Sequence, residues 1–86
     1  MAAYRIAYAG QAEASLRALP RQRRTQIDGA MRSTIAKDPY GHGSTAPRTR
    51  ERDYREVALP GVNAIVVYFV SAPAALTITA VRLISL

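Results

Sequence analysis

Residues 48 to 55 read RTRERDYR, so Arg48, Arg50, Arg52 and Arg55 share one short stretch, with Glu51, Asp53 and Glu56 among and beside them. Guanidinium is planar, permanently charged and forked, which suits two-point contact with phosphate or carboxylate. Such a cluster can bind a polyanion, and on RNA it can stabilise the charge that builds on phosphorus during strand cleavage. Cleavage without metal also needs a base for the 2′-hydroxyl and an acid for the leaving oxygen. The groups on offer are His42, Glu51, Asp53, Glu56 and the tyrosines. Each has a plainer reading. His42 lies between two glycines, as a solvated loop residue would. Tyr54 and Tyr68 read as half-buried strand aromatics, Glu56 as the ion-pair partner of a neighbouring arginine, and the whole cluster as a charge-mixed surface. A single histidine and scattered carboxylates lack the spacing of metal ligands, so neither a metal nor another cofactor is expected.

The 86 residues suffice for one domain, 1–86, with a single core; 49% apolar and 21% charged residues fit a folded globule rather than a disordered tail. Twelve Lys and Arg against six Asp and Glu give a net charge of +6, and Lys37 is the only lysine. A basic, arginine-rich domain points to a polyanionic partner, either nucleic acid or an acidic protein. The absence of cysteine excludes disulfides, thiolate metal sites and cysteine nucleophiles, and fits a reducing cytoplasm. The apolar run from Ala64 to Val70 is too short to span a bilayer, and MAAYRIAY lacks the apolar core of a secretory signal, so a cytoplasmic protein without a membrane partner is expected. A second cluster, Arg21, Arg23 and Arg24, reads as a solvated face or as a contact to RNA backbone.

The elements that would position these groups follow from periodicity. Tyr4, Ile6 and Tyr8 alternate and predict a first strand. Ala12, Leu16 and Leu19 recur at helical spacing over Gln11–Leu19, and Pro20 breaks that helix. A second helix is predicted from about Pro20 to Lys37, with Ile27, Ala30, Met31, Thr34 and Ile35 inward, Asp28 within reach of Arg24 or Arg32, and Gly29 allowing close helix approach. Asp38–Pro39 stops it. Tyr40–Pro47, YGHGSTAP, is expected to be a mobile loop. Tyr54–Leu59 reads as a strand, Pro60–Gly61 as a turn, and Ala64–Val70 as a central strand covered on both faces. Ser71–Ala74 reads as a hairpin loop and Leu76–Arg82 as a last strand. The expected fold is α+β: an N-terminal strand, then a helical hairpin packed on a curved antiparallel sheet of four to five strands.

This order, with particular residues, resembles the RelE/ParE superfamily of small bacterial toxins from toxin–antitoxin modules. The similar features are Tyr4-x-Ile6-x-Tyr8, Leu16-x-x-Leu19-Pro20, Asp38-Pro39, Tyr54-Arg55-x-Val57, Pro60-Gly61, Val66–Val70 and Ile78–Val81, spanning residues 4 to 83. The resemblance implies a basic concave sheet face that either cuts messenger RNA on the ribosome or inhibits DNA gyrase, and a cognate antitoxin that neutralises it. It implies Arg48, Arg50, Arg52 and Arg55 as the RNA-binding set, with Arg55 at a basic position that RelE-like members often use; Arg55 and Arg82, with Arg50, are the cations available as catalytic residues to stabilise phosphorane charge. The chain departs from the pattern at Ala64 and Ile65, where such toxins usually carry another arginine. It departs again after the last strand, where Ile84-Ser85-Leu86 replaces a basic or aromatic tail. The expectation is an mRNA endoribonuclease. The alternatives are a non-enzymatic gyrase inhibitor, a degenerate toxin acting only through its antitoxin, or an unrelated basic RNA-binding module.

Overall fold

A computed structural model describes residues 3–48, 50–59, 61–72, 74 and 76–86. The chain runs through β1 (Arg5–Tyr8), α1 (Gly10–Arg17), α2 (Arg21–Ser33), β2 (Tyr54–Leu59), β3 (Ala64–Ala72) and β4 (Thr77–Ser85). The strands form one sheet in the order β1-β4-β3-β2. The expected α+β architecture is present, with two helices on a four-stranded sheet. Of the expected turns, Pro60 and Pro73 lie outside the described residues.

The sheet is mixed rather than wholly antiparallel. β2–β3 and β3–β4 are antiparallel, but β1 lies parallel to β4, with Arg5 opposite Thr77 and Tyr8 opposite Ala80. Alternation marks a strand but not the direction of its partner, and a parallel neighbour needs a long crossover, which here contains both helices. Tyr4 N–H donates to the Ala36 carbonyl, which fixes the start of β1 against the segment after α2.

One sheet face meets the helices. Ala12, Ile27, Met31 and Ile35 pack there against Val57, Val66, Tyr68, Val70, Ile78 and Ala80, all buried. Burying a side chain such as Ile27 or Met31 is worth roughly 1.5–3 kcal/mol. β3 is central as expected: Val66, Tyr68 and Val70 are buried on the helix side, and on the other face Val67 is buried while Ile65 and Phe69 are partly so. Tyr68 is fully buried, not half-buried, and its hydroxyl donates to the Pro39 carbonyl. Burial pushes that phenol above its ordinary value.

Pro20 separates the helices as expected and caps α2 with extended backbone. α2 ends at Ser33, short of the expected Lys37. Thr34 leaves the helical region at φ −121° and ψ −88°, and its hydroxyl returns a 2.7 Å hydrogen bond to the Ala30 carbonyl. Ala36 N–H reaches back to Met31 O and Asp38 N–H to Thr34 O, a compact turn that still delivers Ile35 and Ala36 to the core. Asp28 chooses Arg32 over Arg24 at 2.7 Å and accepts the Tyr8 hydroxyl at 2.9 Å, tying α2 to β1. Among the described residues, no helix is long and apolar enough to cross a membrane.

Gly29 does not serve close helix approach. It is exposed, and an added Cβ would meet nothing within 4 Å. Gly29→Ala therefore removes backbone entropy from the unfolded chain without a clash and should stabilise the fold by about 0.5–1 kcal/mol. Urea denaturation measures this; a variant no more stable than the parent would mean that the α2 face is occupied.

Candidate functional site

Strand alternation sorts the arginine stretch onto two sides of the sheet. Arg55 pairs with Tyr68 and Val57 with Val66, and paired residues share a face, so Arg55 points to the helix side. Tyr54 pairs with Phe69 and Glu56 with Val67, on the open side. Arg55 is accordingly only 9% exposed. Its Nε donates to Ser44 Oγ at 3.0 Å, one terminal nitrogen to the Arg52 carbonyl at 3.0 Å, and the other to the Ser44 carbonyl at 3.2 Å. Every acceptor is neutral.

These bonds overturn the expectation of a mobile Tyr40–Pro47 segment. Thr45 and Glu56 exchange two backbone hydrogen bonds at 2.9 Å, Ser44 N–H donates to Gly41 O, and the Tyr40 hydroxyl donates to Asp53 at 2.5 Å. The small residues permit tight passage rather than motion. A Cβ on Gly41 would lie 2.4 Å from the Asp38 carboxylate, and Gly43 has φ +80°. His42 is exposed at φ 58°, consistent with a solvated loop residue.

On the open side the other three arginines border a groove of about 850 Å³. Arg48 lies 4.1 Å over the Tyr54 ring and pairs with Glu51 at 3.2 Å. Arg52 stacks 4.6 Å over Tyr40. Arg50 is exposed and has no side-chain partner among the described residues. Tyr54 and Phe69 meet edge to face at 4.7 Å, and beyond them Ser71 Oγ and Thr79 Oγ1 are 2.8 Å apart. Phe69 and this hydroxyl pair escaped the sequence reading. The alternation of Leu76–Arg82 places Thr79 on one face, but only the register with Phe69 brings it to the groove.

Arg82 is exposed on β4 opposite Val67, so it shares the open face and occupies the row next to the groove. Arg55 and Arg82 thus lie on opposite faces and do not converge. Ile65, where another arginine was expected, sits between Ala58 and Ile84, an apolar strip with Ile84 38% exposed. The Arg21–Arg24 cluster is divided. Arg23 binds Ser85 Oγ and the Asn63 carbonyl, bracing α2 against the strand ends, while Arg21 and Arg24 border a smaller cavity of about 350 Å³ beside Tyr8 and Asp28.

The acid and base candidates are also placed. Glu51 and Asp53 border the groove. Tyr40 is poorly suited to release a proton at neutral pH: burial, then the hydrogen bond to Asp53 and its charge, push the phenol up to about 12. Among the described residues no group of three or more His, Asp or Glu side chains gathers as metal ligands would.

No family model matches the sequence, and no curated protein does. Solved structures do resemble the fold. A chain of the RelBE2 toxin–antitoxin complex from Mycobacterium tuberculosis superposes with a TM-score of 0.77 at 13% identity, covering 100% of this chain and 94% of that one. The isolated E. coli RelE toxin gives 0.72 at 16% identity, covering 96% and 84%. A chain of the archaeal RelE–RelB complex from Pyrococcus horikoshii gives 0.65 at 17% identity, covering 96% and 94%. The chain therefore has a RelE-like fold.

The Tyr40–Asp53 bond generates a pH prediction. The folded phenol ionises near 12 against an ordinary value of 10, so its stabilising contribution is complete below pH 10 and is lost as pH rises towards 12. Thermal unfolding followed across that window should show a stability loss that Tyr40→Phe reduces. Identical pH curves for the two proteins would deny the bond any role in holding the loop.

Proposed function

We propose that this chain is the toxin of a toxin–antitoxin module, an endoribonuclease that cuts messenger RNA on the ribosome in the cytoplasm and is neutralised by a cognate antitoxin. The observation that carries this reading is the open-face groove, where Arg48, Arg50 and Arg52 surround the Tyr54–Phe69 pair on a RelE-like fold. Its neighbours in fold include toxins solved in complex with their antitoxins, which supports the protein partner.

In this mechanism Arg50, which has no side-chain partner among the described residues, grips the RNA phosphate and neutralises charge on the phosphorane. Arg48 and Arg52, stacked on aromatic rings, hold the flanking backbone. Glu51 or Asp53, the carboxylates that border the groove, takes the 2′-hydroxyl proton; the 2′-oxygen attacks phosphorus as the P–O5′ bond breaks, and the carboxylic acid so formed returns the proton to the leaving 5′-oxygen. Arg82 extends the positive surface by one row. Arg55 acts at one remove as a positioning residue: it holds the Arg52 carbonyl and the loop carrying Tyr40, on which Arg52 stacks.

A second reading is favoured by the separation of Arg55 from Arg82 and by the apolar strip at Ile65. On that reading the protein binds without cutting, as a gyrase inhibitor or as a toxin relic that engages only its antitoxin.

Single-turnover cleavage on programmed ribosomes separates the two. The wild type should cut; Arg50→Ala should cut more slowly and lower the slope of log affinity against log salt by roughly 0.7–0.9, one phosphate contact. A wild type inert on ribosomes but inhibitory in a gyrase supercoiling assay would install the second reading. Net charge +6 also predicts fast, salt-sensitive capture of an acidic protein encoded beside this chain. Co-expression should yield a complex; purification as a lone, harmless monomer would remove the antitoxin.

A further inference from the structure

We propose that the Phe69 end of the groove is a subsite for one unstacked nucleobase, which makes the ligand single-stranded RNA rather than a duplex; this rests on the nucleic-acid reading above. Three features meet there. Phe69 is half-buried on the open face, so its ring is anchored by the sheet yet still borders the groove. Arg48 lies over the Tyr54 ring, which commits that ring to the cation and leaves Phe69 as the platform. Thr79 stands opposite Phe69 in register, and its hydroxyl is paired with Ser71 at 2.8 Å.

Each feature fits a base. A base stacked on an aromatic ring gains affinity whatever its identity, because every base has a π-face, and a duplex keeps those faces covered. Arg50 and Arg52 border the same groove and supply the phosphate contacts on either side. The hydroxyl pair reads the base edge. Ser71 Oγ also donates towards the Thr77 carbonyl at 3.4 Å, which leaves Thr79 to donate to Ser71. Both hydroxyl hydrogens are then used, and the oxygens offer lone pairs. Such an acceptor pair favours the exocyclic amine of cytosine over the corresponding carbonyl of uracil.

The test measures binding of oligo(C), oligo(U) and an abasic strand of equal length and charge by fluorescence anisotropy. Wild type should bind oligo(C) more tightly than either of the others. Phe69→Leu keeps the apolar anchor and should weaken oligo(C) roughly tenfold, leaving the abasic strand unchanged. Thr79→Val preserves shape and should narrow the preference for oligo(C) over oligo(U). Arg50→Ala should weaken all three strands alike. The subsite is overturned if Phe69→Leu weakens oligo(C) and the abasic strand equally, or neither, and Thr79→Val leaves the preference unchanged. Failure of the wild type to bind any of the three would instead overturn the nucleic-acid reading itself.

Discussion

A buried guanidinium organises this molecule. Taking a charge out of water is costly unless its donors find acceptors, and Arg55 gives one hydrogen bond from each of its three nitrogens to neutral oxygens of Ser44 and Arg52. Hydrogen bonds from a charged donor are worth roughly 1.5–3 kcal/mol each, so the chain gains by supplying them. Supplying them fixes its path. Ser44 must pass beneath the guanidinium, Thr45 then pairs with Glu56, and Tyr40 is carried to Asp53. The positions of Tyr40 and Arg52, and through them one wall of the groove, descend from that single requirement.

The period of two along β2 divides labour between like residues. Tyr54 and Arg55 are adjacent, yet one faces solvent with Phe69 and the other the core with Tyr68. Arg48, Arg50 and Arg52, before the strand, border the groove on the open side, while Arg55 inside the strand becomes part of the interior. A cluster that looks uniform as a string of letters is thus divided, three arginines bordering the open-face groove and one built into the interior.

Much of the fold was legible in the sequence. The strand and helix order, the break at Pro20, the core stripe of Ile27 and Met31 and the central β3 all follow from local periodicity, which the structure obeys. What was not legible depends on contacts between distant residues. The direction of β1 beside β4 leaves no trace in alternation. The end of α2 at Ser33 rests on the Thr34 hydroxyl and on a turn that only tertiary packing stabilises. The loop misled because glycine and serine serve close passage as well as motion. In the site, the arginine density and Tyr54 were visible, but the face of Arg55 and the meeting of Phe69 with Thr79 required the register.

The Thr45–Glu56 bridge has a bearing on solubility. β2 ends the sheet, and an edge strand left open would offer a ladder of unmet amides to another chain. The bridge occupies that ladder at Glu56, and the same short segment keeps the approach narrow. At the opposite margin β1 is only four residues long and carries exposed Arg5. With one border occupied at Glu56 and the other brief and charged, the sheet offers little open edge for another chain to extend.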